Sequence, residues 1–203
     1  MSRREVTTQR VITEYIQTAG EGFPSIAGLN ATIDEVNYAA DLSAQAAMAP
    51  AAGFLGAGTV YKSAVTREGE FIKTQIYIDL TGAKSVATDL DIIGLSGASH
   101  IGQITAAVNG TIVGGTMTCL EVPTTGADDI DLYAATEGTG AYDGNIDPLT
   151  ETALITAGEA WALGATKGFS GLPAADKYLY LTAGEAAAGT YNAGKFLITM
   201  WGV

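Results

Sequence analysis

The sequence predicts a mainly β protein: an antiparallel β-sandwich of jelly-roll type, with an N-terminal arm and a short helix. From residue 53 onward, short runs alternate between apolar and polar residues, which is the pattern of strands with one buried face. The runs recur about every 8–12 residues, and Gly, Asn, Asp and Pro rather than helices separate them. Strands at this spacing favour a sandwich or a jelly roll.

The first 52 residues differ from the rest. We predict that they form an extended arm and a short helix that contact neighbouring subunits, whereas residues 53–203 form the sandwich. Residues 1–29 combine three of the ten basic residues with a glycine-rich stretch, so we expect an arm without its own core. Thr32 and Glu35 have capping-box spacing at the start of the helix, which docks either on its own domain or on a neighbouring subunit. Within the arm we assign partner binding to Arg3, Arg4, Arg10 and Tyr15.

The strand pattern is clearest in "FIKTQIYIDLTG" (71–82). One face of that run carries Ile72, Thr74, Ile76, Ile78 and Leu80. The run "DIDLYAAT" (129–136) alternates in the same way. Its inward set is Ile130, Leu132 and Ala134, and its outward set is Asp129, Asp131 and Tyr133. Two dipeptides are predicted to separate strands, Asn109-Gly110 as a hairpin turn and Gly114-Gly115 as a break.

The charge distribution argues against direct nucleic-acid binding. The net charge is −12, and a protein that neutralises phosphates needs Lys and Arg. No Lys or Arg lies between Lys84 and Lys167, where Asp and Glu occur eleven times. We interpret this surface as a solvated acidic face, and the alternative is a face turned toward a basic partner or cations.

Cysteine content and hydropathy argue against a disulfide-stabilised protein and against a membrane-spanning protein. The single cysteine, Cys119, lies in a strand-like run and is predicted to be a small buried side chain, so no disulfide framework is expected. The N-terminus carries charge but no apolar segment of a secretory signal. No apolar run approaches the roughly 18 residues that a membrane span needs, so we predict no membrane partner.

Catalytic and phosphate-binding patterns are weak. The one histidine, His100, has Ser96 and Ser99 nearby but lies in no Gly-x-Ser-x-Gly motif. The segment "GAGTVYKS" resembles a phosphate loop only loosely, because Tyr61 replaces the glycine before Lys62 and a strand follows. We therefore predict no catalytic site and no cofactor.

Two binding patterns stay open as alternatives. Asp143, Asn145 and Asp147 alternate as in a calcium loop, but Pro148 stands where glycine is expected and Leu154 where Glu is expected, so turn-forming acids are the preferred interpretation. Four aromatic residues at strand-like positions suggest either a sugar platform or, more simply, sheet pairs and subunit contacts. They are Trp161, Tyr178, Tyr180 and Trp201.

The pentapeptide TAGEA occurs twice, at 156–160 and at 182–186. Each copy follows a strand-like stretch, and the flanking sequences diverge. We predict one strand-end turn used twice rather than a repeat, which would need at least three units. Gly158 and Gly184 are expected at positive φ, with the following Glu159 and Glu185 in solvent.

The C-terminal block "GFSGLPAADKYLYLTAGEAAAGTYNAGKFLITMWGV" resembles the end of capsid decoration (cement) and head-fibre-like virion proteins of tailed phages. "TREGEFIKTQIYIDLTGAKS" followed by "TDLDIIG" is similar to an early strand of the same group, so the resemblance spans residues 59–203. It implies a non-enzymatic protein of the virion capsid, assembled in the host cytoplasm. The implied partners are the major capsid protein and copies of the chain itself, with a trimer as one candidate state.

Two other function classes remain. A carbohydrate- or receptor-binding head-fibre or tail module would use exposed Tyr and Trp side chains on the sandwich. A virion-associated hydrolase is the third class, and its only candidate residue is His100.

Overall fold

A computed structural model describes residues 48–203 of the chain. The predicted arm with Arg3, Arg4, Arg10 and Tyr15, and the predicted helix up to residue 47, lie outside the described residues. Among the described residues, Met48 and Phe54 are buried in the core of the β-sandwich. Met48 therefore packs into the sandwich although it precedes the predicted boundary at residue 53.

The described chain is mainly β, as predicted. Its strands are β1 (Val60–Glu68), β2 (Phe71–Asp79), β3 (Lys84–Ser85), β4 (Gly102–Gln103), β5 (Ile112–Thr124), β6 (Ile130–Ala135), β7 (Glu151–Ile155), β8 (Thr166–Gly168), β9 (Tyr178–Ala183), β10 (Gly189–Thr190) and β11 (Ala193–Gly202). The helical pieces are α1 (Ala106–Asn109) and a single 3-10 turn (Asp147–Leu149).

The strand order is that of a jelly roll. A five-stranded sheet has the order β1-β2-β11-β5-β8, and a four-stranded sheet has the order β4-β9-β6-β7. All pairings between described strands are antiparallel, and five of them are nested along the chain: β6 with β7, β5 with β8, β4 with β9, β3 with β10, and β2 with β11. A long hairpin of nested pairs that wraps into two facing sheets is the jelly roll, so the predicted fold class is confirmed.

One hydrophobic core lies between the two sheets. The five-stranded sheet contributes Ile76, Ile78, Met117, Cys119, Phe196, Ile198 and Met200. The four-stranded sheet contributes Ile130, Leu132, Ala134, Leu154, Leu179 and Leu181. Each large apolar side chain adds about 1.5–3 kcal/mol when fully buried. Cys119 is a free thiol within this core, as predicted, and burial raises its pKa.

The alternation in β2 is confirmed, because Thr74, Ile76 and Ile78 are fully buried and Tyr77 on the other face is not. In β6 the division into two faces is also confirmed. The outward face of β6 is nevertheless not in solvent, since Asp131 and Tyr133 are buried. The sequence pattern separates the faces of a strand but does not say what covers them.

The predicted hairpin at Asn109-Gly110 is wrong. Residues Ala106–Asn109 form α1, which Thr105 caps by accepting the Val108 N–H. The Asn109 side chain is buried and bonds on both sides, accepting the Thr105 N–H (2.9 Å) and donating to Thr74 Oγ1 (2.9 Å). The tertiary bond to Thr74 and the local bond to Thr105 replace the turn that Asn-Gly favours between strands.

Gly114-Gly115 is not a break between strands, because β5 runs through both residues. Gly115 faces the ring of Phe169, and a Cβ on residue 115 would lie 2.4 Å from that ring. A glycine inside a strand often marks such a close approach of another group.

Candidate functional site

The two sheets differ in what lies on their outer faces. The outer face of the four-stranded sheet is covered by chain segments that bring Ile92 and Ile146 onto Tyr133 and Tyr180. These four side chains are buried. The outer face of the five-stranded sheet keeps most of its side chains partly exposed instead, Tyr77 among them. That surface is the candidate functional site, and we call it the open face.

The strand register places the residues of the open face in rows across the sheet. One row is Lys62, Tyr77, Leu197, Thr118 and Thr166. The next row is Ala64, Gln75, Thr199, Thr116 and Gly168. A third row is Thr66, Lys73, Trp201 and Gly114. The open face is therefore a surface of threonine, aliphatic, aromatic, glutamine and lysine side chains.

The charged groups of the open face balance one another. Lys195 lies 2.7 Å from Glu121 and 3.8 Å from Asp79, and Lys73 lies 3.0 Å from Glu68. The hydrogen bond from Lys195 lowers the pKa of Glu121, and the same bond raises the pKa of Lys195. With Lys62, the open face has three lysines and three carboxylates.

The rest of the described chain is strongly acidic. It carries thirteen Asp and Glu residues against four Lys and Arg residues. The charge of the domain is thus segregated: one broad sheet face is close to neutral, and the loops and the other sheet carry the negative charge. This segregation could not be read from the linear order of charges.

The residues considered for catalysis do not form a triad. The Ser99 hydroxyl donates to the Gly97 carbonyl at 3.1 Å, and Ser96 is exposed. The His100 ring packs on Tyr178 with centroids 4.9 Å apart, and burial lowers the pKa of His100. This imidazole is a packing element against the tyrosines of β9.

The loop considered for calcium is used in packing. Asn145 Oδ1 accepts the Asp147 N–H at 2.9 Å, which is a local turn, and Ile146 is fully buried on the four-stranded sheet. Within residues 48–203, no three His, Cys, Asp or Glu side chains converge so as to hold a metal ion.

The four aromatic side chains considered for sugar binding lie in different environments. Trp161 is buried in a loop between β7 and β8, and Tyr180 is fully buried. Tyr180 pairs across the strands with Tyr133, and Tyr178 is partly buried on the same face. Trp201 alone lies half-exposed on the open face. These aromatics are mostly core and sheet pairs rather than a platform.

Both copies of TAGEA lie beside one strand start. β7 ends at Ile155 and β9 ends at Ala183, and both strands run antiparallel to β6 on its two sides. The chain after each strand therefore passes the beginning of β6 at Ile130.

Each copy hydrogen-bonds to the acidic residues at that strand start. In the first copy the Ala157 N–H donates to Asp131 Oδ1 at 2.5 Å. In the second copy Glu185 Oε1 accepts the Asp128 N–H at 2.8 Å. Both copies therefore lie at strand ends and flank the same residues, but their backbone conformations differ, so the expectation of one turn used twice is wrong in that respect.

The two glycines of the repeated segment have different roles. Gly158 has a positive φ of 67°, as expected. Gly184 does not, and that expectation is wrong: a Cβ there would lie 2.7 Å from the carboxyl carbon of Asp129. Glu159 is exposed as expected, whereas Glu185 is half-buried because it bonds to the neighbouring strand start.

Burial and mutual repulsion raise the pKa values of the acidic residues at the start of β6. Burial, with Asp131 and Glu185 nearby, raises the pKa of Asp129 to about 6. Burial also raises the pKa of Asp128, next to Glu185, and that of Asp131. Asp129 Oδ1 is buried and finds no hydrogen-bond partner among the described residues. The ionised Asp129 carboxylate therefore costs stability.

We expect Asp129→Asn to stabilise the protein above pH 6. The folded pKa lies above the usual value near 4, so the wild type loses stability as pH rises from about 4 to about 6, and the variant lacks this loss. The expected gain at pH 8 is about 1–2 kcal/mol, measured by urea unfolding across the pH range. Asp176→Asn, the same change at an exposed site, is the control and should stay within about 0.5 kcal/mol. A variant with the wild-type pH profile would contradict the assignment.

Comparison with known proteins yields no relative. No protein-family model, curated protein or solved structure matches the chain. In residues 48–203, none of the helices has the length and apolar character to cross a membrane.

Proposed function

We propose that the chain is a non-enzymatic structural protein of a tailed-phage particle. In this proposal it decorates or cements the capsid by binding the major capsid protein through the open face. The observation that carries the proposal is the segregation of charge, which leaves one broad neutral face on an otherwise acidic domain. The jelly-roll topology and the resemblance of residues 59–203 support it, since viral capsid domains commonly have this fold.

The chemistry of the open face suits binding to protein. Protein interfaces are depleted of Lys, Glu and Asp at their centre and enriched in Tyr and Trp. Tyr77 and Trp201 lie in neighbouring strands of this face, and Leu197 lies between Tyr77 and Thr118. These side chains lie on strands that are already paired in a sheet, so binding need not order their backbone.

The size of the open face indicates how it would bind. Five strands about 4.8 Å apart and about eight residues long cover roughly 600 Å². A standard interface buries about 800 Å² on each partner, so the open face of one copy is slightly smaller than a standard interface. Binding of several linked copies would compensate by effective concentration. The acidic remainder would face solvent and keep decorated particles apart by repulsion.

A carbohydrate- or receptor-binding module is the second candidate. The observation that favours it is that Tyr77 and Trp201 are both partly exposed on one sheet face of a fold that lectin domains also have. A glycan array separates the two candidates, because specific glycan binding would favour the module and no binding would favour capsid decoration.

Composition analysis of the particle tests the proposal. Virions of the phage that encodes the chain are purified and their proteins are quantified by mass spectrometry. We expect the chain at a fixed ratio to the major capsid protein, because a decorating subunit occupies repeated positions. Absence from the virion would refute the proposal. Partner binding by Arg3, Arg4, Arg10 and Tyr15 stays a prediction, which deletion of residues 1–29 tests through loss of capsid affinity.

A further inference from the structure

β1 is a long strand at the edge of the five-stranded sheet. It has nine residues and, among the described strands, pairs only with β2. A strand of this length at a sheet edge presents a row of backbone N–H and C=O groups to any chain that can pair with it.

The hairpin between β1 and β2 fixes which backbone groups point outward. Glu68 pairs with Phe71 across a two-residue loop that begins with Gly69 at a φ of 66°. This is a type II′ turn, and the residues that close such a turn are hydrogen-bonded to each other. Hydrogen-bonded and non-bonded pairs then alternate along the ladder.

Counting back from Glu68 assigns the direction of each backbone group. Thr66, Ala64 and Lys62 bond to β2, in pairs with Lys73, Gln75 and Tyr77. The residues between them, Val65, Ser63 and Tyr61, point their backbone N–H and C=O away from β2. For these three residues no backbone partner occurs within the described chain.

The sequence of β1 is complementary to itself when it runs antiparallel. We propose that β1 pairs with β1 of a second copy of this chain, across a two-fold axis at Val65. In such a pair, residues whose backbone groups point away from β2 must lie opposite each other. A pairing centred on Val65 satisfies this rule. Lys62 of each copy then lies opposite Glu68 of the other copy. Both side chains lie on the open face, so one dimer contains two such charge pairs.

Other allowed registers lose these charge pairs. Centring the pair on Ala64 sets Lys62 opposite Thr66, and centring it on Ser63 sets Lys62 opposite Ala64. The charge pattern of β1 thus selects the Val65 register. Because the interface is isologous, the two open faces become one continuous surface, and the dimer presents about twice the area of one copy. The pairing does not depend on the proposed function and predicts dimers rather than trimers.

A charge exchange tests the pairing. The full-length chain is examined by analytical ultracentrifugation at low ionic strength, where we expect dimers of the wild type. Lys62→Glu and Glu68→Lys each set like charges opposite each other twice, and each should weaken self-association by at least about tenfold. When the two variants are mixed in equal amounts, one copy of a heterodimer has carboxylates at both positions and the other has lysines at both. Each of the two pairs again joins opposite charges, so the heterodimers should be as tight as the wild-type dimer.

The controls separate this pairing from general charge effects. Glu70→Lys makes the same change in the exposed turn and should leave dimerisation unchanged. In hydrogen exchange, the outward amides of Ser63 and Val65 should gain protection as concentration rises. The proposal would be overturned if the wild type were a monomer or a trimer. It would also be overturned if the two charge substitutions left the affinity of the dimer unchanged. Protection that is independent of concentration, and lost on deleting residues 1–47, would assign the edge to the N-terminal segment and overturn it equally.

Discussion

Trp161→Ala will destabilise the protein by about 3–5 kcal/mol, the range for removing a large aromatic side chain from a core. Trp161 is 2% exposed, and its indole Nε1 donates to the Ile130 carbonyl at 2.8 Å. Its ring meets the Phe196 ring edge-on, with centroids 5.3 Å apart. Lys167 Nζ lies 5.4 Å from the ring centroid. Truncation leaves a cavity between the sheets and an unpaired carbonyl at Ile130.

Urea unfolding followed by far-UV circular dichroism measures this loss. Trp201→Ala is the matched control, because Trp201 lies on the open face and is only half-buried. We expect about 1 kcal/mol or less for the control. If the two alanine variants lost similar stability, Trp161 would not be the centre of the packing that joins the β7–β8 loop to the sandwich.

We expect Leu197→Glu to reduce the proposed binding to the capsid shell by about 30-fold or more, without unfolding the domain. Leu197 lies on β11 at the middle of the open face, between Tyr77 and Thr118. A carboxylate there would be buried without a partner when the shell covers it, and such losses at an interface centre exceed about 2 kcal/mol. Binding is measured by cosedimentation with capsids assembled without the chain.

Leu172→Glu provides the control for this change. Leu172 is 53% exposed, in the loop between β8 and β9, where Gly171 approaches the Ala153 carbonyl of the four-stranded sheet. The same substitution there should leave shell binding at the wild-type level. Equal loss in both variants would show that added negative charge, rather than the open face, controls binding.

The sequence predicted those parts of the fold that local alternation determines. The faces of β2 follow from strict period two, and Ile76 and Ile78 are buried as that pattern requires. The nested pairing of a jelly roll also agrees with strands that are separated by turns rather than helices. The hairpin prediction at Asn109 failed because its side chain bonds to Thr74, a residue far away in the chain.

Only the residues of the open face that lie on one strand could be predicted to share a face. Lys73, Gln75 and Tyr77 share one face of β2 by alternation, and this was visible in the sequence. Their neighbours Leu197 and Thr118 come from strands distant in the chain, so the open face depends on the pairing of β2 with β11 and of β11 with β5. No local pattern carries that information.

The burial of Asp131 escaped prediction for a related reason. The outward face of β6 looks solvent-exposed by alternation, but Ile92 and Ile146 cover that side of its sheet. The buried Asp131 is tolerated there because the Ala157 N–H donates to its carboxylate. Repetition of TAGEA was a real signal of this arrangement, since both copies end a strand beside β6.

Electron cryomicroscopy of particles that carry the chain tests the central claim most directly. The claim is that the open face of the five-stranded sheet binds the capsid. We predict density for the jelly roll on the shell, with Tyr77, Leu197 and Trp201 against the major capsid protein and the acidic loops toward solvent. A reconstruction in which the open face points to solvent, while the acidic loops contact the shell, would contradict the claim.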